Sequence, residues 1–589
     1  MRIERDLSRL DQAYDVIVIG AGITGVCVAR ETSGRGLRTL LLDKGDFGHG
    51  TSSATSKYIH GGIRYLETYE FGVVRESLRE RRVLALAAPH LVSQQRFLMP
   101  AWKWSKPPTA LIGAGVGLYA ALGFDRNRYM PDAMRIPLPR WIPRRRLLRD
   151  VPWLDPNELQ GAFAYHDTFN THPERLLLEL LKSAVAAGTV ALNYVEAAGF
   201  IYDSVADDPA ADAGAHTGVT VKGVELVDRR GGGRYTVRGR AVVNAAGPWI
   251  DLVLRNVSEQ IGVPLGVSVK RSKGVHLLTR PIGGTSASGA GTVTDTVFAR
   301  ARSGNHVIVS PWQGYSFIGP TDTAIDVSPD AVKVDHSDVE LILGTVNDTI
   351  AAAYPKLTEA DVEGVTVGIR PLIVDEANDS YTTSRRHELY DHAPSGVRHL
   401  WSIGGGKWTT GRALGVETAE ALARSDALDG AALRPFDSQR LAVQSSFGWA
   451  HDPQPYFDSV IHSRGSLPLE AATRVHLARL YGTEHHRILD LVEREPALAQ
   501  RLSDDPRRLD IAAQAVYAVT EESACTLADL LDRRLVIGTL GRVTRLEVER
   551  VAAAAAPPLG WTPDEAATAV ETELARRAVL EFGWRTPAS

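Results

Sequence analysis

One short stretch, TSSATSKYIHGGIRYLE from Thr51 to Glu67, concentrates side chains that can do chemistry. The hydroxyls of Thr51, Ser52 and Ser53 can bond phosphate or carbonyl oxygens, and Lys57 adds a cation. The unperturbed pKa of histidine is near 6.5, so His60 is suited to take a proton from a substrate hydroxyl. Arg64 carries the fork that matches phosphate oxygens, and Tyr65 adds a hydroxyl donor. Taken singly, Arg64 reads equally well as a solvated surface charge, and the stretch as a packed helix entry. Its place, a few residues beyond a nucleotide-binding pattern, favours a redox site.

The elements that must position these groups begin at Asp15. DVIVIGAGITG is an apolar, β-branched strand followed by Gly20, Gly22 and Gly25 in the spacing G-x-G-x-x-G. The first glycine permits the tight turn, the second lets backbone approach a pyrophosphate, and the third lets the next helix pack on the sheet. That helix is expected over roughly 23–35, with Gly36 just past its end. A second strand, TLLLD, ends at Asp43, whose carboxylate is placed to accept a ribose hydroxyl. An acid there favours a free 2′-hydroxyl, hence FAD or NAD over NADP.

Two later segments favour FAD. RGRAVVNAAGPWID (Arg238 to Asp251) is a strand ending in a small-residue turn at Ala246 and Gly247. HLWSIGGGKWTTGRALGVETAEAL is a strand, then Gly404, Gly405 and Gly406, then a helix. A glycine loop opening a helix offers free N–H groups and a positive dipole end. With Lys407 and Thr409 beside it, such a loop suits the negative charge of a reduced flavin. Alone, the loop reads equally as an ordinary βα turn.

Together these pieces resemble the FAD-dependent glycerol-3-phosphate dehydrogenases of the aerobic, quinone-linked type. The matching runs are VIVIGAGITG, TSSATSKYIHGGIRYLE, APHL (Ala88 to Leu91), VVNAAGPW, SKGVHLL (Ser272 to Leu278), FIGPTDT (ending at Thr323), GIRPL (Gly368 to Leu372) and GGKWTT, in the family's order. The likeness covers about 15–420 and continues more weakly beyond. It implies oxidation of sn-glycerol 3-phosphate to dihydroxyacetone phosphate, with hydride passing from C2 to flavin N5 and electrons leaving to a quinone or to oxygen. It also implies substrate contacts from Arg64, Tyr65, Thr321, Arg370 and Arg385. His60, Arg370 and Lys407 are the catalytic candidates, with His60 as the natural base and Arg370 able to stabilise an alkoxide.

Some positions depart from the family pattern. His172, Pro173 and Glu174 replace an Asp-Asp-Ala run, Pro320 stands where a threonine is usual, and Gly411-Arg412 stands for Tyr-Arg. These changes bear on the exact polyol phosphate more than on the cofactor. Two rival readings remain: an oxidase of the same fold acting on an amine or amino acid, and a flavin-binding interaction protein without activity.

At 589 residues, 44% hydrophobic and 23% charged, the chain is long enough for two or three domains. A net charge of −4 gives no basic field for nucleic acid. Cys27 and Cys525 are the two cysteines, so neither a disulfide framework nor a metal site is expected. The N-terminus lacks the apolar core of a secretory signal, so a cytoplasmic location is expected, with contact to the cytoplasmic membrane face. That contact is expected from TALIGAGVGLYAALGF (Thr109 to Phe124), which is short for a spanning helix but flanked by Trp, Lys and Arg. A helix buried in the substrate domain is the alternative. Expected partners are a polyol phosphate, a quinone, a membrane surface and a second copy of the chain.

The expected fold is α/β: a Rossmann-like FAD-binding domain, an antiparallel-sheet substrate domain and a helical C-terminal domain. The FAD-binding domain is discontinuous, over about 12–100, 160–267 and 362–430. The substrate domain takes about 101–159 and 268–361, and the helices 437–589. DDPAADAGAHTG (Asp207 to Gly218) and GGTSASGAG (Gly283 to Gly291) read as surface loops.

Overall fold

The computed structural model describes residues 1–204, 218–282, 294–373 and 387–585. Arg385 and the two polar loops, apart from Gly218, lie outside them.

The nucleotide-binding unit is built on a parallel sheet. Its strands run, in spatial order, Leu400–Gly404, Arg234–Asn244, Tyr14–Ile19, Thr39–Leu42 and Val190–Leu192, with Glu388–Asp391 antiparallel at one edge. Val18 lies level with Val243 on one side and Leu41 on the other. Both faces are covered, which explains why these strands are continuously apolar. Val16 and Val18 pack toward a core containing Val26, Leu176 and Leu180. Ile17 and Ile19 face the opposite core, containing Phe200, Val224 and Leu254. The helix Ile23–Gly34 ends where expected, and Gly36 takes the left-handed conformation at φ +92°.

A second sheet, of ten strands among the described residues, is largely antiparallel. Its long strand Val269–Thr279 pairs with Val362–Ile373 and with Tyr315–Gly319. Farther along come His306–Trp312, Thr296–Arg300, Val92–Trp102, Leu159–Asn170 and the short strand Tyr58–Ile59. The domain boundaries therefore differ from the sequence reading. Val92–Trp102, Leu159–Asn170 and Val362–Ile373 belong to this sheet rather than to the nucleotide-binding unit. Their assignment depends on pairing partners distant in sequence, which periodicity does not report.

Beyond 440 the chain is helical. Ala471–Tyr481, His485–Arg494, Ala512–Glu522, Arg545–Leu559 and Pro563–Phe582 are the main elements. Thr544 and Thr562 start the last two with reciprocal capping boxes to Glu547 and Glu565. The apolar helix Thr109–Leu122 lies on the surface. Val116 and Tyr119 are its buried residues, while Leu111 and Leu118 are exposed. This excludes the buried-helix alternative. No described helix is long and apolar enough to cross a membrane.

Candidate active site

One groove runs between the two sheets. At one end it is lined by Asp43, Lys44 and Val195–Ala197, in the middle by Gly20, Gly22, Gly48–Ser52 and Ala245–Trp249. At the other end it is lined by His60, Tyr65, His276, Arg370 and Gly405–Thr409. The acids lining it, Asp43 and Glu196, both lie at the first end, whereas Arg370 and Lys407 lie at the other.

The first end and the middle are shaped by backbone. Gly20, at φ +101°, has a carbonyl of Ala245 only 2.7 Å from where a Cβ would stand. Gly25 does not line the groove. A Cβ there would fall 1.8 Å from Gly20 O, so this glycine serves close contact between helix and turn rather than the cofactor directly. Gly22 caps the helix without a side chain, which leaves that N-terminus to a ligand apart from the bond from Ile23 N–H to Ser52 Oγ, 2.9 Å. Asp43 accepts from Ala21 N–H at 2.7 Å and Gly45 N–H at 2.9 Å, and His49 Nδ1 stands 3.1 Å away. A carboxylate retains acceptor capacity beyond two bonds, so a ribose hydroxyl still fits.

The three hydroxyls after this turn organise the loop. Thr51 Oγ1 donates to Ile369 O at 2.6 Å, tying the loop to the second sheet, and Ser53 Oγ donates to Gly48 O at 2.8 Å. Ser53 itself faces away from the groove lining. Tyr58 then pairs with Phe169, which carries the chain out of the nucleotide-binding unit and sets His60 at the groove.

Lys57, expected at the cofactor, is instead buried behind the site. Its ammonium lies 4.2 Å from the Trp312 ring centroid and 3.8 Å from Glu174 Oε1. Burial lowers its pKa, and Glu174 works against that shift. His172 Nδ1 lies 3.9 Å from the same oxygen, so two of the substitutions noted above make up this buried cluster. Thr321 is also absent from the groove lining. Its hydroxyl accepts from Val275 N–H at 2.9 Å, and its carbonyl accepts from Arg370 Nη2 at 3.1 Å. It braces the arginine rather than offering a hydroxyl to substrate. Arg64 is exposed and lines a different, apolar pocket with Ile63, Leu66 and Phe71. A 3₁₀ turn, Ile63–Leu66, puts it and Tyr65 on different sides.

At the catalytic end, Lys407 Nζ donates to Ser77 Oγ at 3.2 Å and stands 3.5 Å from the Tyr65 ring centroid. Gly405 and Gly406 are left-handed, at φ +68° and +89°, and Lys407 caps the following turn without a side-chain bond. That end of the backbone suits an anionic or carbonyl group. His60 Nδ1 accepts from Gly62 N–H at 3.1 Å. A neutral ring so held carries its proton on Nε2.

The sequence reading passed over His276, inside the quoted run SKGVHLL. It lines the groove, stacks on Phe317 at 4.7 Å and 9°, and has Nε2 2.8 Å from Ser56 Oγ. Its buried Nδ1 has no hydrogen-bond partner among the described residues. Burial, and then Arg370 and Lys57, push its pKa down to about 3. A polar residue at a strand position buried on both sides was the available signal. Arg412 pairs with Glu80 through two bonds of 2.7 Å, and Gly411 gives close contact with Ile23, so that departure serves packing.

Comparison with known proteins agrees with this geometry. Residues 15–421 match the family described as FAD dependent oxidoreductase, and 427–566 match the C-terminal domain of alpha-glycerophosphate oxidase. The chain is 35% identical to a glycerol-3-phosphate dehydrogenase of Synechocystis sp., covering 89% of each. It is 32% identical to glycerol-3-phosphate dehydrogenase 2 of Mycobacterium tuberculosis, over 96% of this chain and 88% of that one. The FAD complex of glycerol-3-phosphate dehydrogenase from Bacillus halodurans superposes with a TM-score of 0.74 at 26% identity, covering 99% of this chain and 98% of that one. The dinucleotide groove, the glycine loop facing it and these relatives lead to one assignment: the chain belongs to the family of FAD-dependent glycerol-3-phosphate dehydrogenases.

Proposed function

We propose that the protein oxidises sn-glycerol 3-phosphate at C2 to dihydroxyacetone phosphate and passes the electrons to a quinone at a membrane surface. The observation that carries the substrate is the charge along the groove. Arg370 and Lys407 line the catalytic end, and the acids lining the groove lie at the other. A phosphate monoester needs that arrangement, whereas an amine substrate would meet repulsion. When bound, FAD supplies the two-electron acceptor.

The chain's own groups divide the remaining work. Arg370, braced by Thr321 O, by Ser272 Oγ at 3.3 Å and by an ion pair with Asp322 Oδ1 at 3.3 Å, holds the anion or the developing alkoxide with the face it turns to the groove. Lys407 and the backbone at Gly405 and Gly406 hold negative charge on the opposite side. His60 presents Nε2–H to the substrate oxygen as a donor, because Nδ1 is filled. His276 receives the C2 hydroxyl proton by relay: Ser56 Oγ, which lines the groove, takes it and passes its own to His276 Nε2, 2.8 Å away. This exchanges the base role expected for His60. Burial keeps His276 neutral in the free protein, and an incoming anionic substrate raises its basicity.

The acceptor reading rests on the surface beside the site. An apolar pocket of 530 Å³ includes Ile63, Leu66, Phe71, Leu111 and Val116 in its lining. It lies across the Ile63–Leu66 turn from the groove. In its rim Tyr69, Leu111 and Leu118 are 78%, 60% and 41% exposed. Such a cluster suits a lipid interface with a quinone headgroup entering from it. The decisive experiment is anaerobic addition of polyol phosphates and amino acids while flavin absorbance is followed. Bleaching by glycerol 3-phosphate alone supports the reading, and bleaching by an amino acid or by nothing overturns it. Leu111→Glu with Leu118→Glu should abolish liposome binding and quinone-linked turnover while leaving anaerobic bleaching intact.

A further inference from the structure

The loop Asp43–Ser53 forms one wall of the nucleotide end of the groove. Asp46, at its centre, is 1% exposed and faces away from the groove lining. Its carboxylate belongs to a contact with the helical C-terminal unit. Arg534 donates from Nη1 to Oδ2 at 2.8 Å and from Nη2 to Oδ1 at 2.9 Å. Arg533 Nε donates to Oδ2 at 2.6 Å, and Asn193 Nδ2 donates to Oδ1 at 3.0 Å. Both carboxylate oxygens are thus filled by charge-assisted bonds from residues far away in sequence.

The arginines are themselves held. Arg533 Nη2 donates to Asp529 Oδ1 at 2.8 Å, and Arg534 Nη2 also donates to Glu522 O at 3.1 Å. They end a π-helical turn, Leu530–Arg534. The wider turn reduces the angle between consecutive side chains, which lets neighbours in sequence reach one carboxylate. On the loop side, Asp46 O accepts from His49 N–H at 3.1 Å and lies 3.0 Å from His49 Nδ1. His49 lines the groove and meets Asp43. Gly48 N–H donates to Ala21 O at 3.0 Å, inside the glycine turn. Through Asp46 and its own backbone, bonds therefore lead from Arg533 and Arg534 to His49 and on to Asp43 at the nucleotide end.

We propose that Arg533 and Arg534 are positioning residues for FAD: the C-terminal unit holds the Asp43–Ser53 wall in its cofactor-receptive shape through Asp46. By linkage, FAD then strengthens docking of the C-terminal unit by the same factor. This gives that unit a role in cofactor retention and rests on the assignment of the groove to FAD.

The test uses full-length protein stripped of flavin and titrated with FAD, following the quenching of flavin fluorescence. Arg534→Gln should weaken FAD binding at least tenfold. Glu484→Gln, which disturbs the buried bridge of Lys182 Nζ to Glu484 Oε2 at 2.6 Å in the same interface without touching the loop, should change it less than twofold. Equal FAD affinity in Arg534→Gln and the wild type, or equal losses in both variants, would overturn the proposal. If Arg534→Gln fails to fold, hydrogen exchange on the wild type decides. FAD should slow exchange across 527–540 of the stripped protein, and unchanged exchange there sinks the idea. Failure of the wild type to bind FAD at all would instead refute the groove assignment.

Discussion

The two ends of the groove are built differently. The nucleotide end comes mostly from one continuous segment, 15–53, closed by the turn after Asn244. Its shape is set by backbone: Gly20 and Gly25 tolerate contacts that any side chain would block. The catalytic end draws His60 and Tyr65, His276, Arg370 and Lys407 from four separate segments and two sheets. There, side chains and charge decide the outcome. A local motif suffices to hold a common cofactor, whereas a particular substrate requires groups that only the packed fold assembles.

If this contrast is sound, damage to the catalytic end should remove chemistry and spare flavin. The largest effect is expected for His276→Asn, which keeps a polar group but loses the proposed base. Flavin reduction under single turnover should fall roughly 10²–10⁴-fold with FAD content unchanged. A normal rate would return the base role to His60 or Lys407. Next comes Arg370→Ala, with an expected loss of roughly 2–5 kcal/mol in kcat/KM for glycerol 3-phosphate. Undiminished kcat/KM would remove Arg370 from the substrate site.

The opposite pattern is expected for Gly25→Ala at the nucleotide end. The added methyl meets Gly20 O, and overpacking of this kind costs about 1–3 kcal/mol. The protein should lose FAD and melt earlier, while any molecules that retain flavin reduce it at the wild-type rate. A variant with full FAD content and a slow reduction rate would break the contrast.

The last effect concerns pH and bears on stability alone. Burial, and then Arg370 and Lys57, push His276 down to about 3. Burial, and then Arg175, do the same for His90. Below about pH 6.5 the unfolded chain takes up protons at both sites and the native protein does not. Stability is therefore lost as pH falls through the ordinary histidine value and continues to fall toward pH 3. Each site contributes up to about 1.4 kcal/mol per pH unit. Urea midpoints between pH 7 and 5 measure this slope, and His276→Asn should make it shallower.

The glycine spacing, the acid at Asp43 and the late glycine loop were legible in the sequence because their function depends on backbone conformation over a few residues. So was the helical character of 471–494, from its apolar period. The run around His60 also led to the site, through Tyr58 pairing with Phe169. Several side-chain assignments were not legible. Lys57 and Thr321 carry suitable groups but are turned away, the first under Trp312 and the second against Val275. Arg64 differs from Tyr65 by one position, and a single turn sends it to another pocket.

By itself the sequence determined a dinucleotide fold, FAD as its cofactor and an oxidoreductase lineage, because those follow from short-range spacing and recurrent motifs. Only the tertiary structure decided which strands join which sheet, which cations face the groove and that His276 belongs beside it. It also decided that Asp46 is gripped by Arg533 and Arg534. Each of these depends on contacts between residues tens to hundreds of positions apart, and the direction of a side chain there is set by what packs against it rather than by its neighbours in the chain.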